Sequence, residues 1–259
     1  MLSKRILIAC IVSVLPALLL SLCGCTKEET MPTPVVNGDF TITVLKAGQA
    51  DAIVIKTENS CIVIDCGEKD DGNKVLEYLD ENNIISIGCL IITHFDKDHV
   101  GGAAKILKKT TVDKILVPDY EGSNSEYSDY LKALDKTGLS QTVLTEEASF
   151  MLDDVLFNVY PPRKSTYSTS DNDFSLVVSA SYGNLKFLFA GDAESERIAE
   201  LMEQLDGSYY FLKVPHHGHF NAKTYEFFKF IAPSVSVITD SEKNPADNRT
   251  IASLKAVGS

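Results

Sequence analysis

The sequence predicts an α/β protein made of two similar βα halves packed as a sandwich, with helices on the outside. Two patterns support this. Short β-branched runs alternate with segments of helical spacing along most of the chain, and each half opens on a meander of strands before its first helix. A third observation concerns function: ligand-type side chains gather where the apolar runs stop, as they do when loops at one sheet edge build a site.

In order, "FTITVLKAG", "DAIVIKT" and "CIVIDCG" read as three strands separated by Gly, Gln, Asn and Ser turn residues. Residues 72–83, "GNKVLEYLDENN", place Val75, Leu76 and Leu79 on one helical side. "GCLIITH" is a buried strand, "GGAAKILKK" a helix, "KILVPD" a strand and "EYSDYLKALDKTG" a helix stopped by Gly138. "QTVLTE" and "DVLFNVYPP" follow as strands. The second half repeats the grammar with strands "FSLVVSASY" and "LKFLFAGD", helix "AESERIAELMEQL", strand "YYFLKVPHHG", helix "NAKTYEFFKFI" and strand "SVSVITD".

The chain of 259 residues, 44% hydrophobic and 23% charged, can bury a sizeable core. Lys and Arg number 24 against 36 Asp and Glu, a net of −12. An acidic body repels polyanions unless cations intervene, which counts against tight, non-specific DNA binding. At the N-terminus, Lys4 and Arg5 precede an apolar run that ends in Leu22-Cys23-Gly24-Cys25. This reads as an export signal over residues 1–24, and the Leu-Cys-Gly-Cys box resembles a bacterial lipoprotein cleavage site with Cys25 as the lipidated residue. The alternatives are a plain signal peptide or an uncleaved anchor, for which the run is short and interrupted by Pro16. Loss of residues 1–24 removes two positive charges and no negative ones, giving −12 − 2 = −14. Residues 25–38 are expected as a polar tether with Pro32 and Pro34, and residues 39–259 as the folded domain. Cys61, Cys66 and Cys89 sit in apolar strands and are expected as buried free thiols.

The five histidines fall in only two segments, "THFDKDHVGG" and "VPHHGH". His94 and Asp96 alternate along an extended stretch and point the same way, with Asp98 and His99 beyond a turn. Asp192 ends "LFAGD", and His216, His217 and His219 follow a later strand. Imidazole nitrogen with carboxylate oxygen suits Zn²⁺, with Mn²⁺ or Fe²⁺ where carboxylates dominate. The Gly101-Gly102 pair is expected to let the backbone turn tightly into the next helix.

"THFDKDHVGG" resembles the His-x-His-x-Asp-His-x-Gly-Gly signature of the metallo-β-lactamase-fold superfamily, with Asp96 at the second His. Together with "NDFSLVV", "LFAGDAE" and "LKVPHHG" it is similar to the hydrolase domain of ComEC-type competence proteins, and also to bacterial choline-phosphate esterases. The resemblance implies a four-layer αββα sandwich carrying two divalent metals. His94 and Asp96 would bind one, Asp98 and His99 the other, and Asp192 would bridge them. His216 or His217 would complete the shell, which of the two being open, and His219 is a secondary candidate. Asn172 matches the region of a third superfamily His, a turn cap being the alternative. Asp65 resembles a strand-end Asp that supports the site from behind, capping being again the alternative; Asp51 could reach the site or merely start a strand. Relatives often carry a final His where this chain has "KNPADNRT", so Asp247 could replace it or the contact could be lost. Relatives usually continue into a further strand beyond this point, which leaves open whether Ser259 is the natural C-terminus or the end of a fragment.

Two neighbouring cations lower the pKa of shared water and stabilise charge on a scissile group, with Asp98 orienting the nucleophile. The expected activity is a metal-dependent hydrolase, a phosphodiesterase or nuclease-like enzyme, extracytoplasmic and held at the bacterial membrane by a lipid. Its substrate would be a phosphodiester in nucleic acid, a wall polymer or a small molecule. Asp96 in place of His turns the reading away from lactams. The alternatives are a hydrolase of another ester or a lactam, or a catalytically weak binding lipoprotein. Arg163 and Lys164 in "YPPRKST" are read as a solvated loop rather than a phosphate clamp, and Tyr120, Tyr127 and Tyr130 as helix packing rather than stacking partners. The sequence leaves the oligomeric state open.

Overall fold

The structure is a computed structural model that describes residues 40–168 and 171–259. The residues read above as an export signal and a tether, with Cys25, lie outside the described residues. The first half comprises β1 (Thr41–Val44), β2 (Ala52–Lys56), β3 (Cys61–Cys66), α1 (Asp71–Glu81), β4 (Ser86–Ile87), β5 (Cys89–Ile91), α2 (Lys97–Val100), α3 (Ala103–Leu107), β6 (Thr111–Val112), β7 (Ile115–Pro118), α4 (Ser125–Thr137) and β8 (Thr142–Leu144). The second comprises β9 (Ala148–Leu152), β10 (Val155–Tyr160), β11 (Val177–Tyr182), β12 (Leu185–Phe189), α5 (Ser195–Gln204), β13 (Phe211–Lys213), α6 (Thr224–Ile231), β14 (Val235–Val237) and α7 (Asn248–Ala256).

Two six-stranded sheets result, ordered β1-β2-β3-β5-β7-β8 and β14-β13-β12-β11-β10-β9, with β4 and β6 as a small separate pair. The strand sequences read as unbroken apolar runs because both faces of each strand are covered. Ile53, Ile55, Ile62 and Ile64 point between the sheets, where they meet Phe157, Val178, Phe187 and Phe189. Their alternates Ala52, Val54, Cys61 and Val63 point outward into a core shared with α1, α3 and α4. In the second sheet Val177, Leu188 and Leu212 pack outward against α5, α6 and α7. The result is the expected αββα sandwich.

Both halves begin antiparallel and end parallel: β3, β5, β7 and β8 run together in one sheet, as do β12, β13 and β14 in the other. Parallel strands finish along one edge, so the ends of β3, β5, β12, β13 and β14 converge there. Besides the short β4, β6 and α2, two elements were not anticipated from sequence. β9 is an edge strand, "ASFML", that pairs with β10 across a turn at Asp153. α7 starts within "KNPADNRT", where Asp247 accepts the Arg249 N–H as its N-cap.

The glycine pair also differs from expectation. Gly101 and Gly102 have ordinary right-handed φ values of −54° and −76°, so no special backbone angle requires them. Close approach does: a Cβ on Gly102 would stand 2.3 Å from the Cys66 carbonyl oxygen and 2.8 Å from the Gly72 Cα. The turn carrying the ligands is thereby pressed onto β3 and the first turn of α1.

Candidate metal centre

β5 ends at Ile91, and Thr93 and His94 follow in extended backbone, both buried. Asp96 precedes the short helix α2, so Asp98 and His99 stand on successive helical positions and splay apart. Asp98 reaches toward His217, with Oδ2 to Nε2 at 3.4 Å. His99 Nε2 lies 3.3 Å from Asp192 Oδ2 and 3.4 Å from His217 Nε2. His217 Nε2 lies 3.2 Å from the same Asp192 oxygen, so Asp192 spans the two imidazoles.

Each buried imidazole is oriented through its other nitrogen. Thr93 Oγ1 donates to Asp65 Oδ2 at 2.6 Å, so its lone pair is free to accept from His94 Nδ1 at 3.1 Å. Asp65 also accepts from His99 Nδ1 at 2.8 Å and from the Thr93 amide at 2.7 Å. His217 Nδ1 lies 3.0 Å from the Thr239 carbonyl, which can only accept, so Nδ1 carries the proton. All three Nε2 atoms face the site, with Asp65 behind His99, the Thr239 carbonyl behind His217 and the Thr93 hydroxyl, relayed to Asp65, behind His94. Asp65 is therefore the supporting strand-end acid, and it adopts a left-handed φ of 56° to do so. Asp51 reaches the site as well, accepting from Thr239 Oγ1 at 2.7 Å.

The electrostatics of the cluster set burial against close, opposite charges. Burial and the neighbouring His99 hold His94 well below the ordinary imidazole range. Burial would lower His99 too, but Asp192 and Asp65 outweigh it and raise it well above. Burial likewise works against His217, yet Asp192 and Asp98 push it up to about 9. Against its own burial, Asp98 is brought down to about 2 by its hydrogen bond to His217 and by the charge of His99.

Whether metal fits is decided by the orphaned atoms. His94 Nε2 and Asp192 Oδ1 are buried with no hydrogen-bond partner among the described residues. A buried lone pair without a partner is costly, and a cation satisfies both. His94, His99 and Asp192 form one group whose ligand atoms lie within 4.8 Å of one another, and Asp98, His99 and His217 form another. Either group fits a cation, and His99, whose Nδ1 is bonded to Asp65, has only its Nε2 lone pair to give and so can ligate in one group at a time. The grouping differs from the chain-order pairing, because His99 belongs to both sets. Asp96 is at the rim, its side chain 49% exposed and Oδ2 3.8 Å from His94 Nε2.

The remaining candidates stand outside these groups. His216 turns to the rim, with Nδ1 3.4 Å from Glu194 and Nε2 3.3 Å from Asn172 Nδ2, and it stacks on His219 at 4.4 Å. Asn172 also donates to Glu194 at 2.9 Å. Asp247 is occupied as the α7 cap and as the partner of Arg249. Lys164 pairs with Glu196 and Arg163 with Glu203, in keeping with a surface loop. Tyr127 and Tyr130 pack around Phe95, and the Tyr120 hydroxyl accepts the Phe95 N–H. Sequence reading passed over Thr93, Thr239 and Lys213. Only Lys213 carried a visible signal, a charge inside the apolar run "FLKV".

Residues 45–238 match the sequence model of the metallo-beta-lactamase superfamily. The chain belongs to the metallo-β-lactamase superfamily. Its hydrolase type is therefore metal-dependent, in agreement with the ligand groups. Among curated superfamily relatives, ComE operon protein 3 of Bacillus subtilis is 26% identical over 230 residues, covering 82% of this chain and 30% of that protein. Recombination protein 2 of Haemophilus influenzae is 25% identical over 224 residues, covering 85% of this chain and 26% of that protein. The chain spans less than a third of the length of these relatives. Among solved structures, the metallo-β-lactamase fold protein YhfI of Bacillus subtilis superposes with a TM-score of 0.56 at 10% identity, covering 84% of this chain and 93% of that one. A protein described as a metal-dependent hydrolase from Parabacteroides distasonis gives 0.52 at 17% identity, covering 86% and 96%. Both show the shared fold.

Proposed function

We propose that this protein is a metal-dependent phosphodiesterase, nuclease-like in its chemistry, exported and held at the bacterial membrane through a lipid on Cys25. The observation that carries the hydrolytic reading is the pair of orphaned buried ligand atoms, His94 Nε2 and Asp192 Oδ1, at the meeting edge of the two sheets. His94 and Asp192 would hold one cation and Asp98 and His217 the other, with His99 completing one of the two shells through its single free nitrogen, Nε2. When bound, such cations polarise a phosphoryl oxygen and make water acidic enough to attack near neutral pH.

The chain's own groups do the rest. Asp98, ionised at neutral pH and partly open to solvent, accepts a hydrogen bond from the attacking water and holds it in line. Asp96 and the His216–Asn172–Glu194 cluster form the rim, where they meet the substrate. The carboxylate share of the site favours hard, oxygen-preferring cations, and Asp96 at the mouth repels an anionic substrate unless cations are present. Likeness to competence and recombination proteins supports a phosphodiester in a polynucleotide, with wall polymers and small diesters as further substrates to assay. The sequence supports the anchor; among the described residues no helix is long and apolar enough to cross a membrane.

The test uses the full chain in detergent, assayed on bis(p-nitrophenyl) phosphate beside single-stranded DNA, a choline-phosphate ester and a chromogenic lactam. Two metals per chain and phosphodiester turnover are expected, with Asp98→Ala and Asp192→Ala each lowering kcat by at least about 100-fold, in the range of general acid–base contributions. Failure to bind metal, or turnover only of the lactam, would sink the reading. For the anchor, Cys25→Ala should move the chain out of the membrane fraction and abolish fatty-acid labelling.

A further inference from the structure

Lys213 is the last residue of β13, fully buried, in a strand whose neighbours Leu212 and Val214 are buried as well. Its ammonium stands against Asp51, itself buried, in the first half of the molecule. Asp51 is tied to both ligand-bearing segments. Its amide donates to the Asp98 carbonyl at 3.1 Å and its carbonyl accepts from Gly67 at 2.7 Å. Its Oδ1 accepts the Thr239 hydroxyl at 2.7 Å and lies 3.6 Å from His217 Nδ1. It also falls within a third ligand-type group, with Asp65 and His99.

That position is ambiguous for a carboxylate. Released, Asp51 could take the Nδ1 proton of His217 from Thr239 and rotate the ring, or swing toward His99 and compete as a ligand. Lys213 is the cation facing it from the opposite sheet. We propose that Lys213 is a positioning residue: by holding Asp51 on the Thr239 hydroxyl, it keeps His217 turned with Nε2 toward Asp98 and Asp192, and keeps Asp51 out of the ligand set. The role concerns one cation pocket, since His94 is oriented independently through Thr93 and Asp65. The inference rests on the metal reading of the site.

A purely structural ion pair would act on folding alone, because breaking it leaves one buried charge unpaired. The experiment therefore compares, in the full chain, Lys213→Met, Lys213→Gln (which keeps a donor for Asp51) and the double variant Lys213→Met with Asp51→Leu, which removes both charges. Zinc affinities are measured by competition with a chromophoric chelator, and the thermal midpoint is measured without metal. The double variant is expected to keep the metal-free midpoint within a few degrees yet bind one of two zinc ions about 10- to 100-fold more weakly, as loss of outer partners does. The Gln variant should bind both within a few-fold of the parent. If Lys213→Met fails to fold, the other two variants decide. A folded Lys213→Met chain with both affinities at the parental value overturns the role of Lys213, and a folded double variant with both at the parental value overturns the Asp51–Thr239 support of His217 on which that role depends, while either result leaves the metal centre standing. A parental chain that takes up no zinc overturns the metal reading, and this role with it.

Discussion

At His217, the Thr239 carbonyl fixes which ring nitrogen carries hydrogen, and at His94 a threonine hydroxyl does the same work by relaying to Asp65. These orienting groups explain how far the site was legible. The five histidines and Asp192 announce themselves by type and by position at strand ends. Thr93, Thr239 and Lys213 do not, because threonine and lysine are common and only their long-range partners make them matter. The buried thiols were legible from their apolar strands. Burial pushes Cys61 up to about 11 and Cys89 up to about 12, from an ordinary 9.0. A thiol whose folded pKa is raised contributes stability that is complete below pH 9 and lost as pH rises through the folded value. Denaturant midpoints should therefore fall between about pH 9 and pH 11–12, and Cys89→Ala should flatten part of that decline. At pH 8 a thiol reagent should leave Cys61, Cys66 and Cys89 unmodified until the fold is opened; rapid labelling of the native chain would contradict their burial.

Among elements, α4 is tied to the ligand loop by its own cap. Asn124 accepts the Tyr127 N–H at 2.8 Å while its amide nitrogen donates to the Phe95 carbonyl, between His94 and Asp96, at 2.6 Å. Asn124→Ala should cost about 1–2 kcal/mol in urea unfolding, the upper range of a cap, and weaken metal retention; Asn124→Ser should recover much of the stability but less of the retention. Gly102→Ala should cost more, of order 1–3 kcal/mol or beyond for overpacking, because the Cys66 backbone cannot retreat. Gly138→Ala, with open space but φ of +68°, should cost only about 1 kcal/mol. β9 and α7 were missed from sequence for different reasons. "ASFML" lacks clean alternation because β9 is an edge strand, half exposed. The residues of "KNPADNRT" were weighed as ligands, whereas Asp247 serves a helix start whose apolar face, including Leu254, is short.

For the molecule as a whole, the ligand groups straddle the two halves: His94, Asp98 and His99 come from one sheet, Asp192 and His217 from the other. Binding that requires both halves in place stabilises only the folded state. Zinc or manganese at 100 times its dissociation constant should add about 2.7 kcal/mol, read as a higher thermal midpoint that EDTA reverses and Asp192→Asn abolishes. An unchanged midpoint on metal addition would contradict a shared site. The overall sandwich was legible because its strands and helices are locally regular; the cross-sheet pairing of Asp51 with Lys213 was not, since no local pattern links them.

The left-handed run at His216, His217 and Gly218, with φ of 47°, 50° and 82°, bears on rates as well as on affinity. Two non-glycine residues in that region cost roughly 1–3 kcal/mol each, and the segment is held by the His216 amide on Gly191 and by the Asp247 amide on Gly218. Once a cation leaves His217, relaxation of this backbone has a downhill route. Amide hydrogens at His216, His219 and Asp247 should then exchange with solvent much faster after chelation, while those of β12 keep their pace. Hydrogen exchange at three positions would thus serve as a clock for metal departure.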